Sequence, residues 1–221
     1  MTVSASAQRQ VEKTVALKSG QDIFLDFKFA DDIRVEQWNK NEVQVKSEVT
    51  IDDGEGNDAF SLQVDETSGS VEIKSDFGDY FKSKNKDKNY WNNRHSNTEI
   101  DYVVYVPMGA TLKIKSISGS VEANSYEGFL KTDLIAGDVT IKNYDGEMHL
   151  KTISGDVDVT FKSAEVNAKT LTGTIYANLD IDMEGNGNRS GGHNNIKGKI
   201  NNGGKLVKME TISGDIFLRK G

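Results

Sequence analysis

Hydrophobic residues in the second half of the chain recur with a fixed period of about 18 residues. The motif Ile117-Ser118-Gly119-Ser120-Val121 returns around Gly137, Gly155 and Gly173. Hydrophobic positions on either side of each glycine stand mostly two residues apart, as they do when alternate residues of a short strand face inward. Each unit is therefore predicted to contain two short strands, separated by a sharp bend at the glycine.

The predicted inward positions form columns at fixed distances from the glycine. They stand seven, five and two residues before it, and two and four residues after it. The column two residues before the glycine holds Ile117, Ile135, Ile153 and Leu171. We expect all of these columns to face the core.

A single unit is too short to bury a core of its own, so it must stack on its copies. We therefore predict an all-β, single-stranded β-helix (β-solenoid) in which each coil rises by about 4.8 Å. Parallel crossovers are right-handed in nearly all cases. The inward columns also lack the six-residue spacing expected of a left-handed β-helix, which favours a right-handed winding.

The N-terminal half contains strands in less regular succession. Ala30-Asp31-Asp32 looks like a degenerate copy of the glycine bend, and Ser68-Gly69-Ser70-Val71 looks like a clear relative of it. We predict a residual signal-peptide end or a disordered tail over 1–8, and one solenoid domain over 9–221. In that domain, residues 9–107 form longer irregular coils and residues 108–221 form regular coils of about 18 residues.

The regular spacing breaks near the C-terminus. The next match to the motif is centred on Gly198, later than regular spacing from Gly173 would place it, and the last is centred on Gly214. The extra residues are best placed in a glycine- and asparagine-rich loop over 185–192. Arg219 and Lys220 are predicted to protect an open end of the solenoid from edge-to-edge pairing. The predicted turn glycines are Gly119, Gly137, Gly155, Gly173, Gly198 and Gly214.

A resemblance follows from this arrangement. Repeated I-S-G-D-V-like units come after the segment Tyr102-Val103-Val104-Tyr105-Val106-Pro107-Met108-Gly109-Ala110-Thr111-Leu112. This arrangement resembles the bacterial adhesin-domain family over most of the chain. The resemblance implies an exported, single-stranded β-helix. The family's name is itself an inference from fold, and the resemblance brings no shared site motif.

Composition excludes several classes of function. The net charge of −7 argues against a general nucleic-acid binder, and no run of about 20 apolar residues predicts a membrane span. The absence of cysteine excludes disulfides, thiolate metal sites and cysteine nucleophiles. We expect no cofactor and no metal.

The first residues point to export. Ala5-Ser6-Ala7 before Gln8 has the small-residue pattern at the cleavage end of a secretory signal peptide. The alternative is a flexible N-terminus that is rich in small residues. We expect the protein in the periplasm, on the outer-membrane surface or outside the cell.

Two acidic features are candidate cation sites. Asp138 and Asp156 would lie on adjacent coils about 5 Å apart, where a carboxylate pair could bind a cation or act as acid and base. The favoured alternative is that each aspartate bonds local backbone in a turn. The segment 52–58 suggests calcium but lacks the ligand order of a calcium loop, so a solvated hairpin tip is favoured.

A basic, aromatic loop over 82–95 is the most distinctive candidate for ligand binding. Aromatic faces beside cationic and amide donors suit acidic glycans. The residues assigned to this site are Lys84, Lys86, Tyr90, Trp91, Arg94 and His95. The alternative is a long solvated insertion whose Trp91 packs back on the solenoid.

The leading hypothesis is a non-catalytic exported β-solenoid that serves as an adhesin or an envelope scaffold. Its expected partners are surface glycans or other envelope proteins. The alternative is a polysaccharide-active β-helix enzyme or a glycan-binding module, which should show a groove with clustered carboxylates and aromatic residues. A scaffold should instead show a surface that follows the repeat. The sequence leaves the oligomeric state open, including end-to-end stacking.

Overall fold

The computed structural model describes residues 8–84, 97–178, 181–183 and 194–221. In this part of the chain, strands form two sheets, which confirms the all-β prediction. In chain order the strands are β1 (Arg9–Ala16), β2 (Asp22–Phe27), β3 (Asp32–Trp38), β4 (Glu42–Ile51), β5 (Ser61–Glu66), β6 (Ser70–Asp76), β7 (Thr98–Pro107), β8 (Thr111–Ser116), β9 (Ser120–Ala123), β10 (Tyr126–Ala136), β11 (Val139–Ile141), β12 (Tyr144–Ser154), β13 (Val157–Phe161), β14 (Ala164–Thr170), β15 (Ile175–Ala177), β16 (Asp182–Met183), β17 (Asn195–Ile200), β18 (Leu206–Thr211) and β19 (Ile216–Lys220).

The order of strands shows how the coils stack. Sheet 1 runs β1-β4-β7-β3-β9-β11-β13-β19-β15, and sheet 2 runs β16-β17-β14-β18-β12-β10-β8-β2-β6-β5. From β8 to β13 each coil gives one strand to each sheet. Consecutive coils pair in parallel with a shift of one repeat, as when Leu112 pairs with Leu130 and Val121 with Val139. The predicted stacking is confirmed for these three coils.

The last coil of the chain does not lie at the end of the stack. Strand β18 lies between β12 and β14, and β19 lies between β13 and β15. The order of the coils in the stack therefore differs from their order along the chain here. Arg219 also lies in an interior strand, where it forms an ion pair with Asp158 at 2.7 Å. It does not protect an open end.

A similar insertion occurs in the first half of the chain. The coil formed by β2 and β3 lies between β8 and β6 in sheet 2 and between β9 and β7 in sheet 1. A Cβ placed on Gly119 would lie 2.5 Å from Cβ of Ala30, so the degenerate copy at Ala30 does stack on the glycine column. Gly69 precedes a strand of sheet 2, whereas the repeat glycines precede strands of sheet 1.

The core lies between the two sheets, and burial alternates along the strands. The columns seven and five residues before the glycine are buried, as predicted. The column two residues before it is not: Ile117, Ile135, Ile153 and Leu171 are 39–61% exposed, and so is Ile212 in the last coil. Alternation instead continues to the position three residues before the glycine, where the buried residues are Ser116, Leu134, Thr152, Thr170 and Thr211.

Hydroxyls of this buried column satisfy the bend carbonyls of neighbouring coils. Thr152 donates to the Gly137 carbonyl at 2.9 Å, and Thr211 donates to the Gly155 carbonyl at 3.0 Å. The glycines themselves are required by close approach. A Cβ on Gly155, whose φ is +153°, would collide with the Gly137 carbonyl oxygen. These contacts explain why the bend tolerates no side chain.

Gly198 is an exception among the predicted turn glycines. It lies inside β17, which runs antiparallel to β14, rather than at a bend between coils. Its missing side chain allows close approach of strand β16, since a Cβ there would lie 2.6 Å from the Asp182 carbonyl oxygen. The prediction of a turn at Gly198 is therefore wrong.

Antiparallel strands lie at one end of both sheets and at the other end of sheet 2 only. Strands β1, β4 and β5 form the first end, and β17 and β16 pair antiparallel at the second end of sheet 2. Sheet 1 ends there, among the described residues, in β15, which pairs parallel with β19. Two 3₁₀ turns (Asp52–Gly54 and Asn57–Ala59) and helix α1 (Tyr80–Lys84) pack beside the first end. Across the described residues, no helix is long and apolar enough to cross a membrane.

Candidate functional site

The predicted glycan loop falls largely outside the described residues. Lys86, Tyr90, Trp91, Arg94 and His95 lie there, so their assignment stays a prediction. Lys84, at the end of α1, is the only one of the six that the structure places. Its ammonium group contacts Asp52 and lies 4.4 Å from the centre of the Tyr80 ring.

The contacts of Lys84 indicate a structural role. The Tyr80 hydroxyl donates to Asp52 at 2.6 Å, and the carboxylate is buried. Burial, followed by the hydrogen bond to Asp52, raises the pKa of the Tyr80 hydroxyl above its ordinary value. Lys84 thus neutralises a buried carboxylate at the base of the loop.

The acidic segment 52–58 joins β4 of sheet 1 to β5 of sheet 2, and Asp53, Glu55 and Asp58 are exposed. Asp52 and Asn57 are buried, and the Asn57 side chain accepts a hydrogen bond from the Ile51 amide at 2.7 Å. Arg9 donates to the carbonyls of Asn57 and Phe60 from strand β1. The prediction of a solvated tip therefore holds for most of the carboxylates, but the prediction of a hairpin is wrong, because the flanking strands lie in different sheets. No group of carboxylates and imidazoles with metal-binding geometry occurs among the described residues.

The aspartates after the glycine bond backbone amides of the next coil. The Asp156 amide donates to Asp138 at 2.8 Å, and the Asp215 amide donates to Asp156 at 2.7 Å. The Thr174 amide continues the series by donating to Asp215 at 2.8 Å. This column therefore ties adjacent bends together, in line with the structural alternative to a catalytic pair.

A groove of about 600 Å³ lies on the outer face of sheet 1, near β1 and β4. Carboxylates of Asp32, Glu48 and Asp101 line it together with Arg34 and Lys46. Burial, followed by the charge of Asp32, raises the pKa of the Asp101 carboxyl above its ordinary value. A groove lined by clustered carboxylates is one feature expected of a polysaccharide-active enzyme, the alternative function.

The aromatic residues beside the groove are covered on both sides. Trp38 and Tyr105 stack at 5.2 Å, Lys40 lies 4.3 Å from the centre of the Trp38 ring, and Lys46 lies 5.7 Å from that of Tyr105. Cations therefore occupy the outer faces of the stack, where a sugar ring would otherwise bind. This arrangement fits packing better than glycan stacking.

The clearest repeat-following surface is a row of lysines on the outer face of sheet 2. Six residues, one from each neighbouring strand, stand in register across it. In spatial order this lysine row is Lys113, Lys131, His149, Lys208, Asn167 and Lys197. A second row runs beside the lysine row on the same face, and each of its residues stands two positions away on the same strand. It consists of Lys115, Asp133, Lys151, Glu210, Lys169 and Asn195. The two rows hold seven lysines and two carboxylates on a chain whose net charge is −7.

The lysine row is open and shallow. A depression of about 160 Å³ lies between Lys131, His149 and Lys208. The imidazole of His149 lies 3.4 Å from Glu147 and meets the Phe129 ring edge-to-face at 5.4 Å. The repeat spacing alone predicts most of this row as a largely basic strip six residues before the glycine, at Lys113, Lys131, His149, Asn167 and Lys208. It assigns the strip no ligand, and it does not reveal Lys197, whose place depends on the antiparallel strand β17.

The comparisons with known proteins bear on fold and family. The chain is similar to the solved structure of a candidate cell adhesion protein from Clostridium sporogenes ATCC 15579. The two share 15% identity, with a TM-score of 0.63 over 97% of this chain and 100% of that chain. Candidate adhesins from Parabacteroides distasonis ATCC 8503 and Bacteroides fragilis NCTC 9343 each share 11% identity over 98% of this chain, at TM-scores of 0.31 and 0.27, with 98% and 99% of their own chains covered. No curated protein matches the chain.

The first of these structures supports the fold, and the resemblance to the adhesin-domain family is confirmed. The family match covers residues 2–219, almost the whole sequence. The chain belongs to the Toastrack DUF4097 family.

Proposed function

We propose that this protein is a non-catalytic, exported adhesin or envelope scaffold, and that the lysine row of sheet 2 holds a linear anionic polymer such as an acidic glycan. The observation that carries the proposal is the in-register placement of Lys113, Lys131, Lys208 and Lys197 on one face. Neighbouring residues of the lysine row lie about 4.8 Å apart, the spacing of paired strands, so its six residues span about 24 Å. We also propose that the β-solenoid winds in the right-handed sense.

Size and charge favour an extended polymer over a small ligand. Pockets for small molecules usually enclose about 300–1,000 Å³, whereas the depression in the lysine row measures about 160 Å³. The cations are spread along the solenoid rather than gathered at one point, which suits regularly spaced negative charges.

Export is supported by the Ala5-Ser6-Ala7 pattern. N-terminal sequencing of secreted protein should find a mature start at Gln8, and an intact Met1 would contradict this.

Binding to an immobilised acidic polysaccharide, with neutral dextran as a blank, tests the proposal. The variant Lys131→Gln/Lys208→Gln/Lys197→Gln should bind about tenfold more weakly than the parent, and its binding should depend less on salt. The control Lys13→Gln/Lys46→Gln/Lys142→Gln carries the same change of net charge away from sheet 2 and should bind like the parent. Equal weakening of both variants would show that only overall charge matters, which would contradict the proposal.

The groove on sheet 1 supports a second candidate, a glycan-processing enzyme. Asp101, whose pKa is raised, lies in the groove with Asp32 and Glu48, as an acid–base pair would require. Asp101→Asn should abolish reducing-end release from an acidic polysaccharide if this function is correct. A parent protein that releases no reducing ends would leave the scaffold as the function.

A further inference from the structure

Exposed aliphatic residues are concentrated along one edge of the solenoid. Of the seven large hydrophobic residues exposed in the described part of the chain, five occupy the column two residues before the glycine. In spatial order this aliphatic ladder is Ile117, Ile135, Ile153, Ile212 and Leu171. Rungs about 4.8 Å apart make it about 19 Å long. A continuous apolar row of this kind marks an interaction surface rather than scattered exposure.

Charge changes sign across the aliphatic ladder. On the sheet 2 side, the ladder borders the row that contains Lys115, Lys151 and Lys169, in which Asp133 and Glu210 alternate with the lysines, and the lysine row lies one row farther out, beyond the proposed contact. On the sheet 1 side lies the column after the glycine, which contains Asp138, Asp156 and Asp215. The edge is therefore basic on one side of the apolar row and acidic on the other.

We propose that this edge is the interface of a parallel homodimer. A two-fold axis that runs along the ladder places each rung against its own counterpart and brings the basic side of one copy over the acidic side of the other. A two-fold axis across the ladder would instead bring like charges together. Charge complementarity thus favours a second copy as the occupant and fixes its direction.

The extent of the surface agrees with this occupant. A stable interface buries about 800 Å² on each partner, roughly 20–30 residues. Five aliphatic side chains are too few, but the ladder is flanked by the row that starts at Lys115 and by the small and acidic residues of the bend. These include Ser118, Ala136, Ser154, Ser213 and Thr172. With both flanks, the edge offers about 20 residues, and its central row is apolar while its margins are charged.

Sedimentation velocity over a range of micromolar concentrations gives the first test. The parent should dimerise, and Ile135→Asp/Ile153→Asp should dimerise about tenfold more weakly or not at all, with an unchanged circular dichroism spectrum. Both substituted side chains are already exposed, so the variant should fold. The control Thr140→Asp/Thr160→Asp adds the same charge to the outer face of sheet 1 and should dimerise like the parent. A monomeric parent, or a dimer that Ile135→Asp/Ile153→Asp leaves intact, would overturn the proposal.

Disulfide cross-linking tests the direction of packing, because the chain contains no cysteine. Parallel packing brings every rung against itself, so Leu171→Cys and Ile153→Cys should each form a disulfide-linked dimer under mild oxidation. Antiparallel packing would bring only the central rung, Ile153, against itself. Cross-linking of Ile153→Cys without that of Leu171→Cys would overturn the parallel arrangement, and cross-linking of neither would overturn the interface.

Discussion

At the scale of single residues, the bends at Gly155, Gly173 and Gly214 each combine one missing side chain with one buried threonine hydroxyl. The glycine lets the carbonyl of the neighbouring bend approach to a distance that no Cβ could accept, as Gly155 does toward Gly137. The threonine three residues earlier then donates to that carbonyl, as Thr152 does. The carbonyls of Gly137, Gly155 and Gly214 therefore keep a hydrogen-bond donor although the backbone packs closely.

Gly155→Ala should destabilise the protein by about 3 kcal/mol or more, because the new Cβ would meet the Gly137 carbonyl in a backbone conformation that disfavours side chains. For a chain of this size that corresponds to a fall in Tm of about 10 °C. Gly69→Ala is the matched control, since a Cβ there meets nothing within 4 Å. Thermal melts of the two variants should therefore differ, and equal Tm values would contradict this account of the bend.

Thr152→Val should cost about 1–3 kcal/mol, because it leaves the Gly137 carbonyl without its side-chain donor while the volume hardly changes. Thr140→Val, on the outer face of sheet 1, is the control and should be nearly neutral. Denaturant unfolding measures both. A neutral Thr152→Val would show that the buried hydroxyl contributes nothing.

Asp101→Asn should stabilise the protein at neutral pH. Burial and Asp32 raise the pKa of the Asp101 carboxyl in the folded state, so ionised Asp101 lowers stability above that pKa. The penalty vanishes below the unfolded pKa of about 3.9, where the carboxyl is protonated in both states. The gain in Tm over the parent should therefore be present at pH 7 and absent in acid. A gain that is independent of pH would contradict the electrostatic cause.

The sequence predicts the glycine column and most inward columns correctly, but it misplaces one. Strict alternation points to the position three residues before the glycine, where Thr152, Thr170 and Thr211 stand. Their polarity argues against burial, and the aliphatic column next to them looks like core. The structure reverses both assignments, because the hydroxyls bond carbonyls of neighbouring coils that the sequence cannot reveal. The candidate site at 82–95 stays a prediction, because most of its residues lie outside the described part of the chain.

At the scale of elements, the coil formed by β18 and β19 acts as an inserted layer. It pairs with β12 and β13 on one side and with β14 and β15 on the other. The sequence does not predict this position, because every coil carries nearly the same motif and can pair equally well with several others. Only the complete set of neighbours selects the order.

Removal of residues 205–221 should abolish cooperative unfolding. The deletion removes the buried side chains of Val207, Met209, Ile216 and Leu218, worth about 8 kcal/mol at about 2 kcal/mol each. That loss is comparable to the whole stability of a typical domain, about 5–15 kcal/mol. Lys208→Gln alters only the outer face of the same strand and should leave Tm nearly unchanged. Calorimetry that finds an intact transition after the deletion would show that the coil is an accessory layer.

At the scale of the whole molecule, the stack has two different outer faces. Antiparallel strands end the parallel stacking in both sheets at one end, but at the other end only in sheet 2, so the end-to-end assembly that the sequence left open stays open. Sheet 2 carries the lysine row, whereas sheet 1 carries the groove that is lined by Asp32, Glu48 and Asp101. We infer that the two faces make different contacts, and that the basic face of sheet 2 is the one that binds the anionic polymer.

Lysine acetylation footprinting with an acidic polysaccharide tests the central claim most directly. Bound polymer should protect Lys131, Lys208 and Lys197 from acetylation, while Lys13 and Lys46 should react as they do in the free protein. Neutral dextran should protect none of them. Protection confined to Lys84 and Lys86, or spread evenly over the surface, would contradict binding along the lysine row.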